Sequence, residues 1–379
     1  MIDSSGKTVA PPAFLVTGAN GFVGMRLTRE LIERYGPQAV TALVHPRGRA
    51  EESAFIEEIR KEGVAVIEAD LLDAALAKLP PPTFRCVFHL AACAETEDAS
   101  SRFETNDRGT QNLIAWLEPG LRQPGARLVF TGTLASVDRD YPRTPLDETD
   151  PCHPRMPYGL TKWQAEQLVE AEAKRLGFEW VILRLCTIVG PGFRPGGMFG
   201  VFEKLLAQGA ISTSLNWPGC ASFLALDDLI RILLAASAFP AMRNQRFVLS
   251  NGEDPSFDEV LDLIAQMHGH TRERVRLPGW VWGTVARVCW NTAGLSWVPY
   301  RTRNFCWRVA HLIHDGLRAN ASKLDAALGL KYIPLADALA EAYGRKPPEP
   351  PPTQRPTSPP ASRSRSTTSS SSSSSSTPT

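Results

Sequence analysis

The chain has 379 residues, 43% of them hydrophobic, with 41 Lys plus Arg against 40 Asp plus Glu and a formal net charge of +1. That balance gives no global drive toward nucleic acid or an anionic membrane, and the apolar content excludes a chain disordered throughout. Seven Cys with no C-x-x-C and no Cys/His cluster argue against a disulfide framework and structural zinc, so a soluble protein of a reducing, cytoplasmic compartment is expected. In chain order, Met1–Pro12 is polar, lacks the apolar core of a signal peptide and reads as a flexible start. Ala13–Thr17 is an apolar run that meets glycine abruptly, and Gly21–Tyr35 has helical spacing of its apolar residues. Ala39–Val44, Val64–Glu68, Cys86–Leu90 and Arg127–Thr131 are short runs that read as strands; Thr161–Leu176 reads as a helix and Trp180–Leu185 as another buried strand. Strands alternating with helices predict an α/β fold, with a parallel sheet covered on both faces and ligands at its carboxyl edge. No uncharged apolar run approaches the roughly 20 residues of a spanning helix, so no integral membrane segment is expected. From Pro347 the chain is Pro-, Ser- and Thr-rich and ends in eight Ser at Ser369–Ser376, which predicts a disordered tail.

The segment Thr17-Gly18-Ala19-Asn20-Gly21-Phe22-Val23-Gly24 lies between the first strand and the first helix. Gly18 permits the tight turn, Gly21 lets the backbone approach a pyrophosphate, and Gly24 lets helix and strand pack closely. The helix N-terminus then points its N–H groups at the anion. Further on stand Ala69-Asp70-Leu71, His89-Leu90-Ala91-Ala92, Asn106-Asp107-Arg108-Gly109-Thr110-Gln111-Asn112 and Tyr158-Gly159-Leu160-Thr161-Lys162. Together, in this order, they resemble the extended branch of the short-chain dehydrogenase/reductase superfamily over about Ala13 to Gly344. The branch is epimerase/dehydratase-like, and the nearest likeness is to sterol- and flavonoid-type reductases. The resemblance implies a Rossmann-type doubly wound sheet over 13–191, with 223–252 returning to it, and a smaller, mostly helical substrate lobe from 192–222 and 253–345. It also implies that Gly18, Asn20, Gly21, Phe22, Val23, Gly24, Asp70, Leu71, Ala91, Ala92, Tyr158 and Lys162 bind the cofactor.

The end of the second strand reads Leu43-Val44-His45-Pro46-Arg47-Gly48-Arg49, with no acid before Glu51. An NAD-preferring site places a carboxylate there for the ribose 2′-OH, whereas guanidinium groups suit a 2′-phosphate. NADP is therefore expected, gripped by Arg47, with NAD as the alternative. Tyr158 and Lys162, four apart, share one helix face. A phenol of pKa about 10 is a poor base until a nearby ammonium favours the phenolate, after which Tyr158 can exchange a proton with a substrate oxygen. The resemblance implies that Lys162 also holds the nicotinamide ribose. It further implies a hydroxyl after the fifth strand, to hold the reacting oxygen. In Thr131-Gly132-Thr133-Leu134-Ala135-Ser136-Val137 the family shows S-S or S-T, so Gly132 departs. Counting from the strand end gives Thr133; counting back from Val137 gives Leu134, which has no hydroxyl; Ser136 is the other candidate.

After the sixth strand, Leu185 stands where the family has Pro and Val189 where it has Tyr, although Arg184 and Gly190-Pro191 match. His89, His311 and His314 have no ligand-like partners in the sequence, and no metal site is expected. Members that bind nucleotide sugars carry a diphosphate-gripping Arg where this chain has Ala221; Arg194 and Arg231 are the remaining candidates. Five of nine Trp fall between Trp280 and Trp307, consistent with an apolar pocket, a membrane-surface belt or ordinary core packing. The expectation is an oxidoreductase acting on a small, apolar ketone or secondary alcohol, with a nucleotide-sugar epimerase/dehydratase as the alternative and a homodimer admissible.

Overall fold

Seven short strands form one parallel sheet in a computed structural model that describes residues 13–46, 48–93, 103–138, 144–193, 196–314 and 317–346. The start of the chain, Arg47, Arg194 and the Pro/Ser-rich tail lie outside the described residues. β1 (Phe14–Thr17) leads into α1 (Phe22–Tyr35), followed by β2 (Val40–Val44), α2 (Ala50–Lys61), β3 (Ala65–Glu68), β4 (Cys86–His89), α3 (Glu104–Leu121), β5 (Arg127–Thr133), α4 (Pro157–Leu176) and β6 (Glu179–Leu185). Then come β7 (Thr187–Val189), α5 (Met198–Ala207), α6 (Ile211–Ser214), β8 (Phe223–Ala225), α7 (Leu226–Ala238) and β9 (Gln245–Val248). The helices α8 (Phe257–Met267), α9 (Gly279–Gly294), α10 (Tyr300–Ile313), α11 (Ser322–Leu328) and α12 (Leu335–Ala342) complete the described body. The order across the sheet is β3-β2-β1-β4-β5-β6-β9. It reverses between β1 and β4, the doubly wound, Rossmann-type arrangement that opens a crevice at the carboxyl ends of the strands.

Side chains alternate across each strand, so the two faces have separate cores. Phe14, Val16, Val40, Ala42, Phe88, Val129 and Leu183 face α1, α2 and α7, whereas Leu15, Leu43, Val87, Leu128, Phe130 and Ile182 face α3 and α4. A further apolar cluster gathers around the β7–β8 pair from α5, α8 and α12.

Most boundaries lie within one residue of the sequence reading, and the two that differ by more both bear on the site. β5 continues two residues past Thr131, because Gly132 and Thr133 keep pairing with Arg184 and Leu185 of β6. α4 starts at Pro157 rather than Thr161. Proline fits the first helical turn, where its missing N–H has no partner to lose, and Tyr158 is thereby drawn into the helix.

Candidate active site

At the β1–α1 turn, Gly18 has a φ of +68°, and a Cβ there would lie 2.8 Å from the Ala91 backbone. A Cβ on Gly24 would meet the Gly18 carbonyl oxygen at 2.0 Å. The turn therefore needs both glycines, one for its conformation and one for the approach of α1. No described side chain caps α1; the first N–H groups of a helix, here those of Phe22, Val23 and Gly24, are the ones left open to an acceptor from outside it. Asn20 is buried and ties this turn to the end of β2: its Nδ2 donates to the His45 carbonyl and its Oδ1 accepts from the His45 N–H, both at 3.3 Å.

Asp70 follows β3 as expected, with Oδ2 3.4 Å from His45 Nε2 and Oδ1 accepting from Leu72 N–H. The Leu71 side chain is buried in the core, against Gly109, and its carbonyl accepts from Asn112 Nδ2 at 2.8 Å. At the β2 end, Arg49 caps α2 with Glu52: Arg49 Nε donates to Glu52 Oε1 at 2.9 Å.

The segment after β4 is held by a directed chain of hydrogen bonds. Thr110 donates to the Asn106 carbonyl, so it must accept from His89 Nε2–H at 2.8 Å. His89 Nδ1 then accepts from the Thr17 hydroxyl at 2.8 Å, and Thr17 Oγ1 accepts from Ala91 N–H at 3.2 Å. Burial, with the Lys162 charge second, pushes the His89 pKa down to about 3, so this imidazole is neutral and structural. Asn106 closes the arrangement, bonding both backbone polar groups of Cys93 and the Thr161 hydroxyl of α4. Ala91 and Ala92 are thus fixed beside the glycine turn.

Lys162 is buried one turn after Tyr158, its Nζ 4.2 Å from the centroid of the Phe130 ring. Burial pushes its pKa down to about 7, against a smaller upward pull from Glu166. Glu166, one turn further on and also buried, is claimed by Arg184 (Nη2 to Oε2, 2.9 Å) and approached by Arg246 Nε at 3.2 Å. That pair accounts for Gly132: a Cβ there would meet Glu166 Oε1 at 2.4 Å. The family's serine would displace a buried carboxylate.

Thr133 ends β5 at the carboxyl edge of the sheet; its Oγ1 accepts from Ala135 N–H at 3.3 Å, leaving its own proton to donate. Leu134 packs in an apolar cluster with Val137, Leu146 and Val248. Ser136 is buried and donates to the Gly159 carbonyl at 3.3 Å. The approach there is close, since a Cβ on Gly159 would meet the Ala135 carbonyl oxygen at 2.2 Å. The structure therefore joins the turn after β5 to the first turn of α4, bringing the two expected segments together.

Sequence reasoning missed the group that fixes this junction from outside. Asp138, with φ +42° and buried, accepts from Arg155 N–H at 2.9 Å and from Trp307 Nε1 of α10 at 3.1 Å. His311 Nε2 lies 3.4 Å away. The Arg155 guanidinium stacks over Trp290 of α9, 4.2 Å from its centroid, and Arg303 Nη2 donates to the Arg155 carbonyl. Buried Phe103 stands between the Tyr158 ring (centroids 6.5 Å apart) and the Tyr300 ring (5.8 Å). The Trp concentration thus divides: Trp282 and Trp290 are core, Trp307 serves Asp138, and Trp280 and Trp297 face outward.

Ala221 is 0% exposed within an apolar cluster. Arg231 is held by Asp228 at 2.9 Å. One guanidinium unforeseen in the sequence does stand nearby: Leu317 pairs with Ala221, and the next residue, Arg318, donates from Nε to Asp254 at 3.1 Å. Among the described residues no three His, Cys, Asp or Glu side chains form a metal cluster, and no helix is long and apolar enough to cross a membrane.

Residues 14–249 match the model of the NAD dependent epimerase/dehydratase family, and the chain belongs to that family. It is thus an NAD(P)-dependent enzyme of the extended short-chain dehydrogenase/reductase superfamily. Sterol demethylase protein B of Methylococcus capsulatus is 27% identical over 336 residues, covering 86% of this chain and 96% of that protein. UDP-glucose 4-epimerase of Vibrio cholerae is 25% identical over 271 residues, covering 69% and 77%. Among solved structures, UDP-glucuronic acid 4-epimerase from Bacillus cereus in complex with NAD superposes with a TM-score of 0.67 at 20% identity, covering 88% of this chain and 96% of that one. The dTDP-glucose 4,6-dehydratase DesIV from Streptomyces venezuelae, with NAD bound, gives 0.65 at 20% identity, covering 87% and 95%.

Proposed function

We propose that the protein is an NADP-dependent oxidoreductase that moves hydride between nicotinamide and the carbonyl or secondary-alcohol carbon of a small, apolar, sterol-like substrate. The observation that carries the substrate class is the burial of Ala221 in apolar packing, where a diphosphate would demand a guanidinium. The near full-length similarity to sterol demethylase protein B supports it.

The residues fit a dinucleotide, because the Gly18–Gly24 turn follows a backbone path that needs glycine at Gly18 and Gly24 and ends on a helix with no side-chain cap. Gly18, Asn20, Gly21, Phe22, Val23 and Gly24 would cradle the pyrophosphate, Asp70 and the Leu71 backbone would meet adenine, and Ala91 and Ala92 would line the crevice. Arg47 is assigned to the 2′-phosphate. Its neighbour Arg49 is bonded to Glu52 through its Nε and its backbone N–H, so that carboxylate is already paired with a guanidinium.

When bound, the nicotinamide gives or takes the hydride. Tyr158 carries the proton to or from the substrate oxygen, Thr133 donates a hydrogen bond that holds that oxygen, and Lys162 as ammonium lowers the phenol's pKa. With its own pKa near 7, the amine holds or releases a proton within the working range.

The test is titration of the full chain with NADPH and NADH, followed by turnover on sterol and flavonoid ketones and alcohols beside UDP-sugars. Tighter NADPH binding and turnover within the apolar set are expected. Equal cofactor affinities would refute the NADP assignment. Micromolar UDP binding with no response to the apolar set would establish the nucleotide-sugar reading, which Arg318 beside Ala221 favours.

A further inference from the structure

The helical hairpin α9–α10 carries a surface that the proposed chemistry does not use. Trp280 is 74% exposed, Val288 59%, Trp297 79% and Phe305 65%. Trp280, Thr284 and Val288 follow one another at four-residue steps along the outward row of α9, while Trp282, Ala286, Trp290 and Ala293 bury the opposite row. Trp297 lies in the connection and Phe305 on the second turn of α10. Large aromatic side chains held in water at these exposures are unusual outside binding surfaces.

The charge of the same segment is the second observation. Between Val275 and His314 the chain has five Arg (Arg276, Arg287, Arg301, Arg303 and Arg308) and no Asp or Glu, in a protein whose net charge is only +1. Arg303 is turned inward onto the carbonyls of Ala293 and Arg155, but Arg276, Arg287 and Arg301 are exposed. Exposed Trp interleaved with Arg, on helices whose other face is packed, is the composition of a segment lying in a bilayer interface. Arg near an anionic leaflet contributes favourably, each adding to the attraction. A second copy of this chain is a poor occupant, because a two-fold contact would oppose this basic segment to itself.

We propose that the outward face of α9, its connection to α10 and the start of α10 dock on an anionic phospholipid surface. Trp280, Trp297 and Phe305 insert at headgroup level, and Arg276, Arg287 and Arg301 meet lipid phosphates. The position is purposeful. Tyr300 lies three residues beyond Trp297 and packs, tilted, on the Phe103 ring, which packs in the same way on Tyr158. If the substrate is apolar, as the functional reading holds, docking puts the mouth of the site on the phase in which that substrate is dissolved.

The experiment is sedimentation of the full chain with vesicles of pure phosphatidylcholine or of phosphatidylcholine with phosphatidylglycerol, at low and high salt. Trp emission is recorded in parallel. Binding to the anionic vesicles with a blue shift is expected, weakened at least tenfold by high salt. The variant Trp280→Ser/Trp297→Ser should lose at least tenfold in vesicle affinity at an unchanged melting temperature, and Arg287→Glu/Arg301→Glu should lose the preference for anionic vesicles. Absence of binding to either vesicle, or binding untouched by both double variants, overturns the proposal. So does a wild-type dimer in ultracentrifugation that Trp280→Ser/Trp297→Ser converts to monomer, since a second copy would then be the occupant. Because the readout is binding without turnover, failure here leaves the oxidoreductase assignment to its own test.

Discussion

Replacing Lys162 by Met should stabilise the fold and end turnover. The buried amine has its pKa lowered from 10.5 to about 7, a difference worth about 5 kcal/mol at 1.36 kcal/mol per unit. At pH 7 the folded amine is half protonated, and about 4 kcal/mol of that penalty remains. Met is close in length and has no charge to desolvate, but it forgoes the ammonium's contact with the Phe130 ring, worth roughly 0.5–2 kcal/mol, and repacks imperfectly at about 1 kcal/mol. A net gain of about 1–3 kcal/mol is left. The sign follows from proton counts: between pH 7 and 10.5 the unfolded lysine binds more protons than the folded one, so wild-type stability rises through that window and is highest above it. The variant's advantage should therefore be greatest at pH 7 and below, and should shrink toward pH 10.5. Thermal unfolding of both proteins without nucleotide, from pH 6 to pH 10, measures it. A gap that is absent at pH 7, or that persists unchanged at pH 10, would refute the burial argument. Turnover should fall at least about 100-fold, the usual contribution of a positioned acid–base group; retention of a tenth of the wild-type rate would remove Lys162 from the mechanism.

Tyr158→Phe should abolish turnover while NADPH binding, read by fluorescence titration, changes less than threefold, because the ring still packs on Phe103 and only the proton carrier is gone. Gly132→Ala should cost about 1–3 kcal/mol in chemical denaturation, the range for overpacking, since its Cβ would meet Glu166 Oε1 at 2.4 Å; an unchanged midpoint would show that the Glu166–Arg184 pair moves freely. Asp138→Asn keeps a residue that tolerates the positive φ but sets an amide N–H against one of two donors, Arg155 N–H or Trp307 Nε1–H. It should cost about 1–3 kcal/mol and lower kcat more than it raises KM, because the contact sits at the entrance of α4 rather than in the substrate pocket. A KM effect alone would contradict that placement.

The nucleotide half of the molecule was legible because its signals are backbone signals. Gly18 and Gly24 are needed wherever this turn occurs, and a turn of that kind between a strand and a helix leaves few folds open. The strand runs were found to within a residue or two for the same reason: buried parallel strands read as continuous apolar runs. What could not be read was any contact whose partners are far apart in the chain and individually ordinary. Trp307 meets Asp138 across 169 residues, and nothing about a Trp or an Asp announces such a pair. The Trp concentration was visible as a number but not as a division, since five aromatic residues on two helices look alike until one row is buried and the other is not. Nor could the sequence show Arg318 beside Ala221, because that neighbourhood is made by an isolated pairing of Ala221 with Leu317.

Gly132, the departure from the family pattern beside the expected hydroxyl, connects these observations to the chemistry. A glycine there leaves room for the carboxylate of Glu166 against β5, and Arg184 holds it there. Glu166 is one helical turn from Lys162, on the same face of α4, and among the described residues its charge is what pulls the amine's pKa up against burial. Committed to Arg184 and approached by Arg246, it compensates Lys162 too weakly to offset burial. The amine is therefore left close to its neutral point, with an aromatic ring rather than a carboxylate for company. A lysine so placed responds strongly to added negative charge: a phenolate at Tyr158, or an anionic nucleotide in the crevice, would raise its pKa and complete its protonation. Such a lysine is about half charged at pH 7 in the empty site and more fully charged in the loaded one, so nucleotide binding should take up a fraction of a proton near pH 7. Calorimetric titration in buffers of different ionisation enthalpy reads that uptake directly, and its absence in Lys162→Met would assign it.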